Sequence, residues 1–180
     1  MAAVSTMVPL GSALPSFSLP DLDGRVVAND DFVGAPLLVA FLCNHCPYVR
    51  HIEAGLADLV TRTPELRVVG ICSNDAAAYP ADDIAGLRDQ VARTGWSFPY
   101  LVDESQHVGR SFGAACTPDF FLYDTAGALA YRGAMDGSTP GNDVPVTGDL
   151  LADAIGLVLA GQPVPEPHRP SMGCSIKWRA

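Results

Sequence analysis

Leu37-Leu-Val-Ala-Phe-Leu-Cys-Asn-His-Cys-Pro-Tyr48 is the stretch on which the fold turns. Its first six residues are apolar throughout, bounded by Gly34 and Pro36 before and by a polar Cys-Asn-His-Cys cluster after. A short unbroken apolar run between such bounds predicts a strand buried on both faces. Beyond it, Val49, Ile52, Leu56, Leu59 and Val60 recur at spacings of three and four, one stripe of a helix that begins near Cys46-Pro47 and ends before Pro64. A central strand therefore runs straight into a helix, with two cysteines at the junction.

Working outward, Arg67–Ser73 is short and β-branched, and its separation from the first strand fits a parallel βαβ unit. Ile84, Leu87 and Val91 mark a second helix, residues 96–102 a third strand, and Ser105–Phe112 a short helix stopped at Gly113. Asp119–Asp124 and Leu129–Arg132 flank a Thr-Ala-Gly turn as an antiparallel hairpin, and Leu150, Leu151, Ala154, Ile155, Val158 and Leu159 mark a last helix. Upstream, Phe17–Leu19 and Arg25–Val27 around Asp21–Gly24 read as a small N-terminal hairpin. The expectation is one α/β domain over residues 1–161 with a central mixed sheet flanked by helices. Residues 162–180 form a tail whose Pro163, Pro165, Pro167 and Pro170 make its first half extended. Its end carries Ile176 and Trp178, which favours docking on the domain over a loose solvated end.

The chain has 180 residues with 11 Lys and Arg against 20 Asp and Glu, a net charge of −9, which disfavours nucleic-acid and anionic membrane partners. The longest apolar run, Ala35–Cys43, is less than half of the ~20 residues a membrane-spanning helix needs. Met1–Leu14 lacks a positive charge ahead of its apolar residues, so no secretory signal is read there and the cytoplasm is the expected location. Five cysteines, at 43, 46, 72, 116 and 174, are odd in number and sparse, which points to catalytic or metal chemistry rather than structural disulfides.

Cys43 and Cys46 stand three apart at a helix start, about one turn, with Cβ atoms ~5–6 Å apart. A disulfide needs Cα atoms at ~4.4–6.8 Å, so the pair can join and part with little backbone movement. Helix-start dipoles favour a thiolate there, and a Cys-x-x-Cys in a βαβ setting is the mark of a thioredoxin-like redox site. The alternatives are part of a zinc or iron–sulfur site drawing on Cys43, Cys46, Cys116 and perhaps His45 or Cys174, or two inert core thiols. A cationic His45 between the cysteines is expected to stabilise a thiolate on Cys43 and make the couple more oxidising than that of thioredoxin. Cys72, after an apolar run, is expected to be buried and inert. The adjacent carboxylates Asp103 and Glu104 are read as a helix start, capped by Asp103 or Ser105, rather than as acid/base catalysts.

Phe17–Gly24, Cys43-Asn-His-Cys-Pro-Tyr48, Phe98–Glu104, Cys116-Thr-Pro118 and Gly173-Cys-Ser-Ile-Lys-Trp178 together resemble the peroxiredoxin-like redoxins of the alkyl hydroperoxide reductase/thiol-specific antioxidant superfamily. The resemblance implies a thioredoxin-like fold with an N-terminal hairpin extension and a βαβ insertion ahead of the terminal hairpin. It implies a cis peptide before Pro118 in a loop facing the cysteine pair, with the Thr117 backbone placed to hold an extended substrate peptide; an ordinary trans proline is the alternative. Cys116 would then lie near the pair, as a third redox partner, a metal ligand or a small buried residue. A docked tail would bring Cys174 to Cys43 or Cys116 as an additional resolving or regulatory thiol.

Peroxiredoxins carry a Pro-x-x-x-Thr/Ser-x-x-Cys motif and a distant Arg. Aligning Cys46-Pro47 with the family's Cys-Pro puts Cys43 at the hydroxyl position and Val39 at the first proline. Residues 114–123 contain no Arg, although Arg50, Arg110 and Arg132 could act from elsewhere. The expected activity is thus thiol–disulfide exchange, with Cys43 as nucleophile, Cys46 as resolver and no cofactor or metal, and with thiol-dependent peroxidase as the alternative. The implied partners are a disulfide or peroxide substrate and a thiol reductant, a thioredoxin or a low-molecular-weight thiol. Leu37–Leu42 holds no acidic residue, which leaves His45 and His51 as candidate bases.

Overall fold

In the computed structural model, which describes residues 2–179, the central sheet has five strands in the order β6 (Tyr100–Val102), β5 (Arg67–Cys72), β4 (Leu37–Phe41), β8 (Asp119–Tyr123) and β9 (Leu129–Gly133). β4 lies in the middle, parallel to β5, which is parallel to β6. On its other side β4 pairs antiparallel with β8, and β8 with β9. The sheet is mixed, as the alternation of elements predicts.

The apolar run in β4 is explained by two cores. Because side chains alternate faces along a strand, Leu38, Ala40 and Leu42 enter one cluster, and Leu37, Val39 and Phe41 the other. The first cluster takes Val49, Ile52, Leu56 and Leu59 from α1 (Pro47–Arg62), Leu87 from α2 (Ile84–Thr94), and Leu151, Ala154, Ile155 and Val158 from α4 (Asp149–Leu159). The second takes Phe17, Phe121 and Leu129, with Val108 from α3 (His107–Ser111) and the adjacent Phe112. Phe112 meets Phe41, Phe121 and Tyr123 edge to face, the arrangement that ring quadrupoles favour.

The N-terminal hairpin is β2 (Ser18–Pro20) against β3 (Val26–Ala28), tied to β6 by an Asp21–Leu101 bridge. A separate three-stranded sheet brings both chain ends together, with β1 (Ala2–Val4), β10 (Met172–Ser175) and β7 (Cys116–Thr117) in the order β1-β10-β7. The tail therefore docks, and its docking strand lies beside the Thr117-Pro118 loop.

Several boundaries differ from the sequence reading. Residues 96–99 are not strand: Trp96 and Phe98 stack on each other, Trp96 donates its indole N–H to the Glu53 carbonyl, and only Tyr100–Val102 pairs. Ile84 is exposed, and α2 instead buries Leu87 and Gln90, whose amide reaches the Cys43 carbonyl. Leu150 and Leu159 also face solvent rather than the core. Asp103 does not cap α3 from the first position, which is Gln106. It is buried, accepting from Ser73, Ser105 and the Gly109 amide, while Ser105 accepts the His107 amide, so the two residues expected to cap α3 do satisfy first-turn N–H groups, from positions ahead of Gln106.

Candidate active site

β4 ends at Phe41, and α1 begins at Pro47, whose missing N–H suits the first helical position. Cys46 is the residue before the helix, and Cys43 lies three residues earlier in the connecting turn. Both are free thiols and both are fully buried. The Thr117–Pro118 peptide is cis and faces them: the Thr117 hydroxyl is 3.1 Å from Cys43 Sγ, and the Thr117 carbonyl 3.1 Å from Cys46 Sγ. Cys43, Cys46, Thr117 and Pro118 are thus brought together.

Cys46 is pulled down to about 4, chiefly because the Cys43 thiol hydrogen-bonds to its charged form. Burial opposes this, while the Cys174 thiol and the Val49 and Cys174 amides reinforce it. The contact with the Thr117 carbonyl favours a protonated Cys46 but is outnumbered by these donors. Cys43 is held well above its ordinary value by the same partnership with Cys46, then by burial and by the Asp82 charge, against the opposing Thr117 hydroxyl. The surrounding groups thus favour charge on Cys46, the sulfur nearest the helix amides, over Cys43.

His45 also differs from expectation. Its Nδ1 meets Asp82 Oδ2 at 2.5 Å and its ring stacks on Tyr79, so a cationic imidazole here faces a carboxylate rather than acting alone on a thiolate. Asp82 is the residue that the sequence reading missed. Buried in a 3₁₀ turn (Pro80–Asp82), it accepts the Asn44 and His45 amides on Oδ1, and His45 Nδ1 and the Asn74 amide on Oδ2. One carboxylate thereby holds the two middle residues of the Cys-Asn-His-Cys turn, Asn44 and His45. The available signal was the Asp82-Asp83 doublet, of which Asp83 caps α2 through the Gly86 amide.

Cys43 Sγ, His45 and Asp82 place donor atoms within 4.8 Å of one another, the one metal-like grouping among the described residues. Both Asp82 oxygens are already filled by N–H donors, and Cys116 stands outside the group, so the donors read as a hydrogen-bonded hub rather than a vacant ligand set. Cys116 is buried, and burial next to Asp119 pushes its thiol far up. Cys72 is likewise buried and pushed up to about 12. Cys174, half-buried on β10, lies opposite Thr117 and interacts with Cys46. His51 bonds Ser138 rather than a sulfur. The three arginines have other partners: Arg50 binds the Asn44 carbonyl, Arg132 the Val8 carbonyl, His168 and Glu166, and Arg110 lies over Trp178.

A family model described as the AhpC/TSA family matches residues 10–132, well over half of the sequence. The chain belongs to the AhpC/TSA family. Among curated proteins none matches this redoxin. Among solved structures it is similar to an uncharacterized protein from Geobacillus kaustophilus, at 42% identity and TM-score 0.96, covering 99% of this chain and 97% of that one. A hypothetical protein from Sinorhizobium meliloti 1021 matches at 43% identity and TM-score 0.96, with 98% of each chain covered. The thioredoxin domain of a thiol-disulfide oxidoreductase from Bacteroides vulgatus matches at 18% identity and TM-score 0.62, over 82% of this redoxin and 99% of that chain. At that identity the likeness is one of fold, and the redoxin has a thioredoxin-like fold. Among its described residues, no helix is long and apolar enough to cross a membrane.

Proposed function

We propose that this redoxin is a thiol-disulfide oxidoreductase whose Cys43 and Cys46 cycle between dithiol and disulfide. The observation that carries the reading is a pair of free, buried thiols three residues apart at a helix start, both held against Thr117 of the cis Thr117–Pro118 peptide; the surrounding groups favour charge on Cys46 over Cys43. Only a thiolate attacks a disulfide, and an acidic thiol is also the better leaving group. Cys46 therefore attacks one sulfur of an incoming disulfide and expels the other as a thiolate. Cys43 then gives up its proton and attacks Cys46 Sγ, which releases the bound thiol and closes the Cys43–Cys46 bond. These roles reverse the order expected from sequence. A thiol reductant, either a thioredoxin-type protein or a low-molecular-weight thiol in a reducing, cytoplasmic setting, returns the pair to the dithiol.

The peroxidase reading draws on one observation, that Cys43 stands at the position where peroxiredoxins carry a hydroxyl, three residues before Cys46 and against the same Thr117. Arg110 lies over Trp178 and Arg132 binds the Val8 carbonyl, while Arg50 binds the Asn44 carbonyl in the cysteine turn through its Nε, and none of the three makes a hydrogen bond to a cysteine sulfur. The test is stopped-flow oxidation of the reduced, metal-free protein by hydrogen peroxide and by a disulfide-bonded protein, with peptide mapping of the products. Faster reaction with the disulfide, ending in a Cys43–Cys46 bond, supports the exchanger. Faster reaction with peroxide through a sulfenic acid on Cys46 makes the protein a peroxidase.

A further inference from the structure

The edge of β7 that touches both sulfurs is already occupied by the chain's own tail. β10 pairs antiparallel with it, Cys174 opposite Thr117 and Ser175 opposite Cys116. The fit depends on Gly173: a Cβ there would lie 2.1 Å from the Thr117 carbonyl oxygen and 2.6 Å from its carbon. Further along, the Ile176 amide bonds the Ala115 carbonyl, the Lys177 amide bonds Asn74, Gln106 bonds the Lys177 carbonyl, and Arg110 covers Trp178. An extended peptide seeking Cys46 along the Thr117 backbone meets β10 in its place. Cys174 is the one member of the Cys43, Cys46 and Cys174 group that is not fully buried.

We propose that Cys174 is a third redox-active cysteine, exchanging disulfides with Cys46 and serving as the sulfur at which the buried pair meets outside thiols and disulfides. The inference rests on the exchange reading above and makes the disulfide that Cys46 attacks the one formed on Cys174. In the oxidised protein, Cys174 loses its proton and attacks Cys46 Sγ. The Cys46–Cys174 bond forms, the Cys43–Cys46 bond breaks, and Cys43 leaves as a thiolate and is reprotonated. An outside thiolate then attacks Cys174 Sγ and expels Cys46, the better leaving group. A second outside thiolate attacks the sulfur bound to Cys174, which completes one disulfide of the reductant and restores three protein thiols. Run backwards, the same steps carry oxidation from an outside disulfide to the buried pair. The charge on Cys46 is among the causes that raise Cys174 to about 11, after burial, and it disappears when Cys46 enters a disulfide. Oxidation of the pair thus prepares Cys174 to attack, while Lys177 favours its thiolate.

The test treats reduced Cys43→Ser protein with oxidised glutathione, blocks remaining thiols in acid and maps tryptic peptides. The expected product joins residues 26–50 to residues 133–177, in which Cys46 and Cys174 are the only cysteines. Absence of that link, or a link to residues 111–132 through Cys116, overturns the inference. A second measurement follows reduction of the oxidised pair by glutathione in wild-type and Cys174→Ser proteins, both checked for cooperative melting. A slowing of tenfold or more is expected, and equal rates overturn the inference even if Cys43→Ser fails to fold. The two readings fail separately: wild-type protein that closes Cys43–Cys46 while the other results are negative loses only the role of Cys174. Wild-type protein that forms no Cys43–Cys46 bond with oxidised glutathione loses the exchange reading and this inference with it.

Discussion

Replacing Gly173 with Ala tests how closely the tail is fitted to the redox site. The added Cβ would lie 2.1 Å from Thr117 O, 2.6 Å from Thr117 C and 3.0 Å from Pro118 N, all of them backbone atoms. No rotamer change relieves such contacts, so β10 must move off the Thr117 edge. Overpacking of this kind costs about 1–3 kcal/mol, and with unyielding backbone on one side the upper end applies. In a chain of this length about 3 kcal/mol corresponds to a melting temperature lower by roughly 6–12 °C. Displacement of β10 also lifts Cys174 from Cys46, which removes two of the influences that keep Cys46 acidic. The assay pairs thermal unfolding with the rate of Cys46 alkylation, which is expected to rise as the cover loosens. Gly156→Ala is the control: nothing lies within 4 Å of a Cβ there, inside α4, so a gain of about 0.5–1 kcal/mol is expected. Gly173→Ala protein that melts with the wild type and alkylates at the wild-type rate refutes the fitted-tail argument.

Thiolate absorbance of the reduced protein titrated with pH is expected to show one transition near pH 4 that disappears in Cys46→Ala and moves upward in Cys43→Ala; its survival in Cys46→Ala places the charge elsewhere. Burial raises Asp119 to about 7, and its Oδ1 has no hydrogen-bond partner, with Cys116, Ser5 and Ser171 as neighbours. Between about pH 4 and 7 the unfolded chain has lost this proton while the folded one keeps it, so stability falls with rising pH by at most about 4 kcal/mol. Chemical denaturation across that range shows this contribution as the difference between wild type and Asp119→Asn, because the Cys46 thiolate adds stability with rising pH over the same range and offsets the Asp119 slope in the wild type. Asp82→Asn sets an amide donor against the Asn74 amide and leaves the Cys-Asn-His-Cys turn short of an acceptor. A loss of about 2 kcal/mol or more is expected by urea denaturation.

The Leu37–Tyr48 stretch was legible because local signals agree there: an apolar run for a doubly covered strand, a proline at the helix start and a 3.6-residue stripe. Ile176 and Trp178 likewise disclosed a docking tail, since both are apolar residues that solvent disfavours. What the tail docks against was not legible. Pairing of β10 with β7 joins residues more than fifty apart and leaves no periodicity in the sequence. The electrostatic preference for Cys46 over Cys43 has the same origin, because Cys174 and Asp82, which contribute to it, arrive by tertiary contact. Ile84, Leu150 and Leu159 fit a helical stripe yet face solvent, since periodicity gives the direction of a face and not how far the neighbouring elements cover it.

The most direct test of the account is the reduction potential of the Cys43–Cys46 couple, measured by equilibration with glutathione buffers and read as the fraction of residues 26–50 carrying an internal disulfide. Each unit by which Cys46 titrates below ambient pH stabilises the dithiol by an amount equal to about 30 mV in a two-electron couple. With Cys46 near 4, a single two-electron transition on the order of 90 mV above thioredoxin's roughly −270 mV is predicted at neutral pH. A potential at or below that of thioredoxin, or no reversible two-electron step on this peptide, would contradict a redox pair poised by a Cys46 thiolate.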